Sequence, residues 1–282
     1  MRVACPICGV SFSRFKSDHL YCGKICRNEA YRRRYVKSKG EKQKRTPRPG
    51  IDGEVPIAIV AHPNRQPWAE ELAEKVRAEV IMVDDRGLGC ERNHLRALRW
   101  LADGAASWSV VMEDDALPVR GFSSQLKQVL HAAPTPIVSL YLGRGRPPHW
   151  QSSIALSVTT PACFFRGPAL LHGVCYAIRT GLIPGCLEKI EYLVTRKDDP
   201  MPIDEAISEW ARVSRYRVCH TWPSLVDHRD TGTLNDHADG QPRTELRRAW
   251  CVDVRSSWTP SVVDMPIPPE LGGEKFPKLA IV

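Results

Sequence analysis

The stretch WSVVMEDDA, residues 108–116, decides the fold. An almost wholly apolar run is followed at once by three acids. A short run without polar alternation reads as a strand buried on both faces, and such strands belong to parallel sheets covered by helices. The acids then stand at the strand's C-terminal end. Open α/β sheets place their sites beyond that edge.

The same pattern extends outward on the N-terminal side. PIAIVAH (56–62) and EVIMVDD (79–85) are two more short apolar runs rich in β-branched residues. Between them, Trp68, Leu72 and Val76 recur at helical spacing over 67–78, and Leu95, Leu98 and Leu101 do so over 91–103. Strand, helix, strand, helix, strand with crossovers of this length predicts a mostly parallel sheet flanked by helices. The strand ends carry His62, Arg65, Asp84, Asp85, Glu113, Asp114 and Asp115. On the C-terminal side, helices are expected over 121–132, 180–194 and 201–212, and strands over 136–143, 173–179 and 216–222. The stretch from Pro260 reads as an extended tail.

No GxGxxG follows the first strand and no GxxxxGK[ST] occurs, so dinucleotide and P-loop readings lose their support. Carboxylates at a buried strand end suit a divalent cation that clamps a diphosphate. They also serve as plain caps of the next helix. Helix capping or solvent exposure is the plain reading of Asp84 and Asp85, and Arg65 is either a partner of phosphate or base or a surface arginine.

The chain has 282 residues, 26% charged and 43% hydrophobic, with a mean hydropathy of -0.31. At about 150 residues per domain this points to two domains. No run approaches the ~18 apolar residues of a membrane span, and no apolar signal segment opens the chain. The expected location is the cytoplasm, or the host cytoplasm for a phage-encoded protein. Residues 1–50 hold 14 Lys+Arg and 3 Asp+Glu, a net of +11, against +8 for the whole chain. A basic module on a slightly acidic body suits a polyanionic partner.

Four of the ten cysteines fall in that module, as Cys5-x2-Cys8 and Cys22-x3-Cys26. Two close pairs separated by a short loop are a structural zinc pattern. These residues, with Gly9, Phe12, Tyr21, Asn28, Ala30 and Tyr31, resemble short treble-clef or ribbon-type zinc fingers over about the first 35 positions. A basic helix carrying Arg27, Arg32, Arg33 and Arg34 would follow the second knuckle and suits phosphate contacts in nucleic acid. Docking onto protein is the alternative. Residues 38–54 read as a flexible basic linker, 55–230 as the catalytic body and 231–282 as a C-terminal extension, with the finger occupying 1–37. The remaining cysteines, at 90, 163, 175, 186, 219 and 251, lack paired spacing and read as buried small hydrophobes.

AHPNR after the first strand, GCERNHLRALRWL before the third, VVMEDDALP and the later PSLVDH together resemble GT-A glycosyltransferases. The likeness is to glycosyltransferase family 25 and related phage-type enzymes, over about residues 56–230. It implies a GT-A-like, Rossmann-like body and a nucleotide-sugar donor. Glu113-Asp114-Asp115 would be the DXD-type element, with Asp115 binding Mn2+ or Mg2+ and His228 supplying a late metal ligand. Asp204 would be the acceptor-side base; helix capping is its plain reading. Asp84 and Asp85 would face the nucleotide, and Arg247 or Arg248 would reach the diphosphate. The expected function is sugar transfer from a nucleotide-sugar, with a modified base in phage DNA as one acceptor. The alternatives are a protein or glycan acceptor with the finger used for docking, and a non-enzymatic zinc-finger protein that binds nucleic acid. The sequence leaves the oligomeric state undetermined.

Overall fold

A computed structural model describes residues 2–5, 11–13, 54–196, 200–229 and 247–271. The chain forms two compact units, residues 1–48 and 49–282. In the first, β1 (Arg2–Ala4) and β2 (Ser11–Ser13) pair antiparallel, with Arg2 opposite Ser13. Cys5 follows β1 and is buried. Cys8, Cys22, Cys26, Arg27, Arg32, Arg33 and Arg34 lie outside the described residues, as does all of the expected linker except Glu54.

The second unit is built on a sheet of eight described strands. Its first half follows the expected order: β3 (Ile57–Ala61), α1 (Gln66–Val76), β4 (Val80–Val83), α2 (Cys90–Leu101), β5 (Trp108–Glu113). β3 lies between β4 and β5, parallel to both. Alternation along β3 sorts its side chains between two cores. Ile57, Ile59 and Ala61 pack with α1 and α3 (Phe122–Ala132) on one face. Ala58 and Val60 pack with α2, α5 (Ile183–Thr195) and α6 (Ile203–Val213) on the other. Every residue of β3 is buried, because helices cover both faces of the sheet.

The C-terminal half departs from a simple parallel arrangement. β9 (Cys175–Arg179) runs antiparallel between β5 and β7 (Ile137–Ser139). β10 (Val218–Thr221) is parallel to β7 and antiparallel to β8 (Phe164–Gly167). The stretch from Pro260 is not simply a tail. β12 (Val262–Asp264) joins the sheet parallel to β8, and Met265 fills a small core beside α4 (Gln151–Ser157).

The strand expected over 108–116 stops at Glu113. The chain turns at Asp114 and Asp115, then enters β6 (Ala116–Pro118). β6 pairs antiparallel with β11 (Val226–His228) in a separate two-stranded ribbon. This turn takes the two aspartates out of the sheet while keeping them at its edge.

Candidate functional site

β3, β4 and β5 are parallel, so their C-terminal ends share one edge. A cavity of about 270 Å3 opens there, lined by residues of all three strand ends. Helix α2 closes its floor. Asn93 is buried on α2, and its amide donates to the carbonyl oxygens of Met82 and Ala61. Arg96 donates to Val83 O at 2.9 Å and to Asn93 Oδ1 at 3.0 Å. The helix is thereby fastened to the ends of β3 and β4 through their backbone carbonyls.

Loop 84–89 is closed by Asp84. Its two carboxylate oxygens accept from Leu88 N at 2.7 Å and Gly89 N at 2.8 Å. Gly87 and Gly89 have φ of 61° and 89°, so the loop uses backbone that favours glycine. Asp84 lines the cavity while its oxygens fix the loop. Asp85 is exposed and takes no part in the cavity wall.

Around the acidic turn the contacts are dense. His62 N donates to Asp114 Oδ2 at 2.7 Å, while the His62 ring turns to accept from Asn64 N. Arg65 Nη1 lies 2.6 Å from Asp115 Oδ2 and 3.3 Å from Asp114 Oδ1. His228 is opposite Ala116 in the β6–β11 ribbon, and its Nε2 comes within 3.4 Å of Asp115 Oδ2. Arg229 N donates to Asp115 O at 2.7 Å and holds the two segments together. His228 therefore reaches the site from a ribbon built on the turn itself, rather than from the end of β10.

Burial pushes the Asp114 carboxyl up to about 6, against the pull of His62 N–H and Arg65. Burial and the neighbouring Glu113 charge raise Asp115 despite His228, Arg65 and Arg247. Burial also opposes the charge of Glu113, yet His94, His228 and Arg247 hold its carboxyl below the usual range. Asp204, in the first turn of α6, is pushed up to about 7 by burial and by the charges of Glu205 and Glu113. Gly173 explains how α6 comes close to Glu113: a Cβ there would lie 3.0 Å from Glu113 Oε1 and 3.3 Å from Ile203 Cγ2.

A divalent cation fits the donor set. Glu113, Asp115 and His228 each offer a ligand atom, all within 4.8 Å of one another. Asp115 Oδ1 and His228 Nδ1 are buried and have no hydrogen-bond partner among the described residues. Buried polar atoms without partners are rare, and a missing ion is one ordinary reason for them.

The structure thus brings together His62, Arg65, Asp84, Glu113, Asp114, Asp115 and His228, with Asp204 close by, and leaves Asp85 outside. Of the two arginines proposed for the diphosphate, Arg247 lines the cavity, whereas Arg248 pairs with Asp227 at 3.0 Å. One further wall residue, Cys90, and the buried His94 beside Glu113 had no site role in the sequence reading. Four of the cysteines read as buried, 163, 175, 186 and 219, are so, but Cys90 is partly open to the cavity and Cys251 is exposed. The i,i+4 spacing of Cys90 and His94 on one helix is the signal that could have found them.

No protein-family model matches the chain, and no curated protein does. Among solved structures, A197 from STIV is similar over 65% of this chain and 96% of that chain, at 13% identity and a TM-score of 0.38. That likeness is too distant to carry an argument. Among the described residues, no helix is long and apolar enough to cross a membrane.

Proposed function

We propose that the protein is a metal-dependent glycosyltransferase with a GT-A-like body, moving a sugar from a nucleotide-sugar to an acceptor. One observation carries this reading. Glu113, Asp115 and His228 converge at the C-terminal edge of three parallel strands, on a cavity that also presents Arg65 and Arg247. The cavity's size is near the lower end of ligand pockets, which run from about 300 Å3. It suits the diphosphate end of a donor, with the nucleoside reaching outward.

When bound, Mn2+ or Mg2+ would neutralise charge building on the departing diphosphate. Glu113, Asp115 and His228 would hold it. Arg247 and Arg65 would pair with phosphate oxygens, and His62 N–H would keep Asp114 oriented. Asp204, with its carboxyl near neutrality, is suited to take the proton from an acceptor hydroxyl. The N-terminal unit would be a four-cysteine zinc finger, its ion held by Cys5, Cys8, Cys22 and Cys26. It would bring nucleic acid to the body, and a modified DNA base is the acceptor we favour.

The test is a panel of nucleotide-sugars assayed for turnover with Mn2+, Mg2+ or chelator, with and without DNA. Turnover of one donor that needs the cation and rises with DNA supports the reading. No turnover of any donor under any condition contradicts it.

A further inference from the structure

A second group of ligand atoms lies on the other side of Glu113. Cys90 Sγ, a His94 ring nitrogen and a Glu113 carboxylate oxygen fall within 4.8 Å of one another. Cys90 and His94 sit one turn apart on α2, so both project from the same helix face toward the end of β5. His94 is fully buried, at 0% exposure. Its Nδ1 is 3.1 Å from Tyr176 Oη, which fixes the ring. Its Nε2 lies 3.4 Å from Glu113 Oε1 yet has no hydrogen-bond partner among the described residues. With a cation bound, the ring proton would sit on Nδ1 and be donated to Tyr176, leaving the Nε2 lone pair for the metal. Tethering the far nitrogen in this way is how proteins orient metal-ligating imidazoles.

We infer that Cys90, His94 and Glu113 form a binding site for a thiophilic divalent cation, zinc above all. A thiolate and an imidazole beside one carboxylate make a donor set that suits zinc over magnesium or manganese. Ligand bonds of about 2.0–2.3 Å imply donor separations of about 3.3–3.8 Å in a tetrahedron, so the three atoms need only a small inward shift. Cys90 and Glu113 also line the cavity, so the fourth position opens onto it. Three protein ligands and one open position are the arrangement of zinc sites that bind water or an anionic ligand. Glu113, with two oxygens, links this site to the one at Asp115 and His228. Zinc binding here rests on these ligand atoms alone and does not depend on glycosyl transfer.

The experiment uses the full chain and reads Cys90 directly. Alkylation by iodoacetamide is followed cysteine by cysteine by peptide mapping, in chelator and with added zinc. Zinc should slow alkylation of Cys90 by about tenfold or more, since a metal-bound thiolate is shielded from the reagent. Exposed Cys251 should label at the same rate throughout, and buried Cys175 and Cys186 should stay unlabelled in any variant that remains folded. His94→Gln should abolish the protection. Glu113→Gln serves as the second variant should the first lose its fold, and should weaken protection by a similar factor. Zinc bound at the N-terminal cysteines does not enter this readout. Unchanged labelling of Cys90 in saturating zinc overturns the inference. So does protection that persists undiminished in a folded variant.

Discussion

Arg65 Nη1 lies 2.6 Å from Asp115 Oδ2, with both side chains nearly buried. The guanidinium supplies the positive charge that an acidic turn at a sheet edge needs when nothing else is bound there. It also holds one oxygen of Asp115 while the other, Oδ1, stays without a partner among the described residues. A cation can therefore join Asp115 without displacing Arg65.

Removing that charge should be costly. Breaking a buried ion pair by deleting one partner typically loses about 3–5 kcal/mol. Arg65→Met should lower stability by an amount of that order in chelator, measured by urea unfolding. Added Mn2+ should recover part of the loss, because the cation would replace the missing charge. A variant as stable as the parent contradicts the assigned role of the pair.

Two buried imidazoles near the site should each contribute an acid-sensitive term to stability. His220 is buried, and burial lowers its pKa from the ordinary 6.5 to about 4. Burial likewise takes His172 to about 3. Between those values and 6.5 the unfolded chain binds protons that the folded chain refuses. The histidines' contribution is therefore full above pH 6.5 and is lost as pH falls toward 4, at up to about 1.4 kcal/mol per unit for each, while the raised carboxyls of Asp114 and Asp204 act in the opposite sense over the same range. Removing one histidine isolates its share: the urea midpoint of His220→Gln relative to the parent should rise between pH 7 and pH 5. A midpoint difference that stays constant over this range contradicts the prediction.

Packing beside His228 makes a third prediction. A Cβ on Gly143 would lie 2.7 Å from His172 Nε2 and 2.9 Å from Tyr141 Cε1. His172 Nε2 accepts from Gly143 N at 3.1 Å, so the ring cannot retreat without losing its bond. Gly143→Ala should cost about 1–3 kcal/mol, the usual penalty of overpacking. Gly167→Ala meets only Cε of Met265, the end of a flexible side chain, and should cost much less. Equal melting temperatures for the two variants count against this reading.

Much of this was legible in the sequence, for reasons that are physical. β3, β4 and β5 are short apolar runs separated by helical periodicity, and the parallel arrangement fixes which edge holds the acids. β8, β6 and β11 are only three or four residues long, and β12 sits in a proline-rich stretch, so no pattern marks them. Their absence from the sequence reading hid how His228 reaches Asp115. Asp84 and Asp85 are adjacent and chemically alike. Only the left-handed glycines of loop 84–89 decide that Asp84 turns inward. Arg247 and Arg248 are likewise alike in sequence, and only the fold separates them: Arg247 lines the cavity while Arg248 pairs with Asp227.

The N-terminal unit supplies a prediction independent of the body. If Cys5, Cys8, Cys22 and Cys26 hold zinc, Cys5→Ser with Cys22→Ser should remove about one equivalent of zinc from the purified protein. If Arg32, Arg33 and Arg34 meet phosphates, DNA affinity should fall steeply with salt, and reversing the three charges should flatten that dependence. Binding that ignores salt leaves the finger a docking role only.

The central claim is that a cation held by Asp115 and His228 neutralises a departing diphosphate. The most direct measurement is transfer from the donor found in the nucleotide-sugar panel, comparing wild type with Asp115→Asn. The substitution keeps the size and removes the charge. Turnover of the folded variant should fall by about two orders of magnitude or more, beside the stability lost with the Arg65 pair, and donor affinity in Mn2+ should weaken as well. Asp204→Asn should reduce transfer while leaving cation-dependent donor binding nearly unchanged, because its partner is the acceptor hydroxyl. If Asp115→Asn and His228→Ala both transfer sugar at the wild-type rate in the presence of chelator, the cation mechanism is wrong.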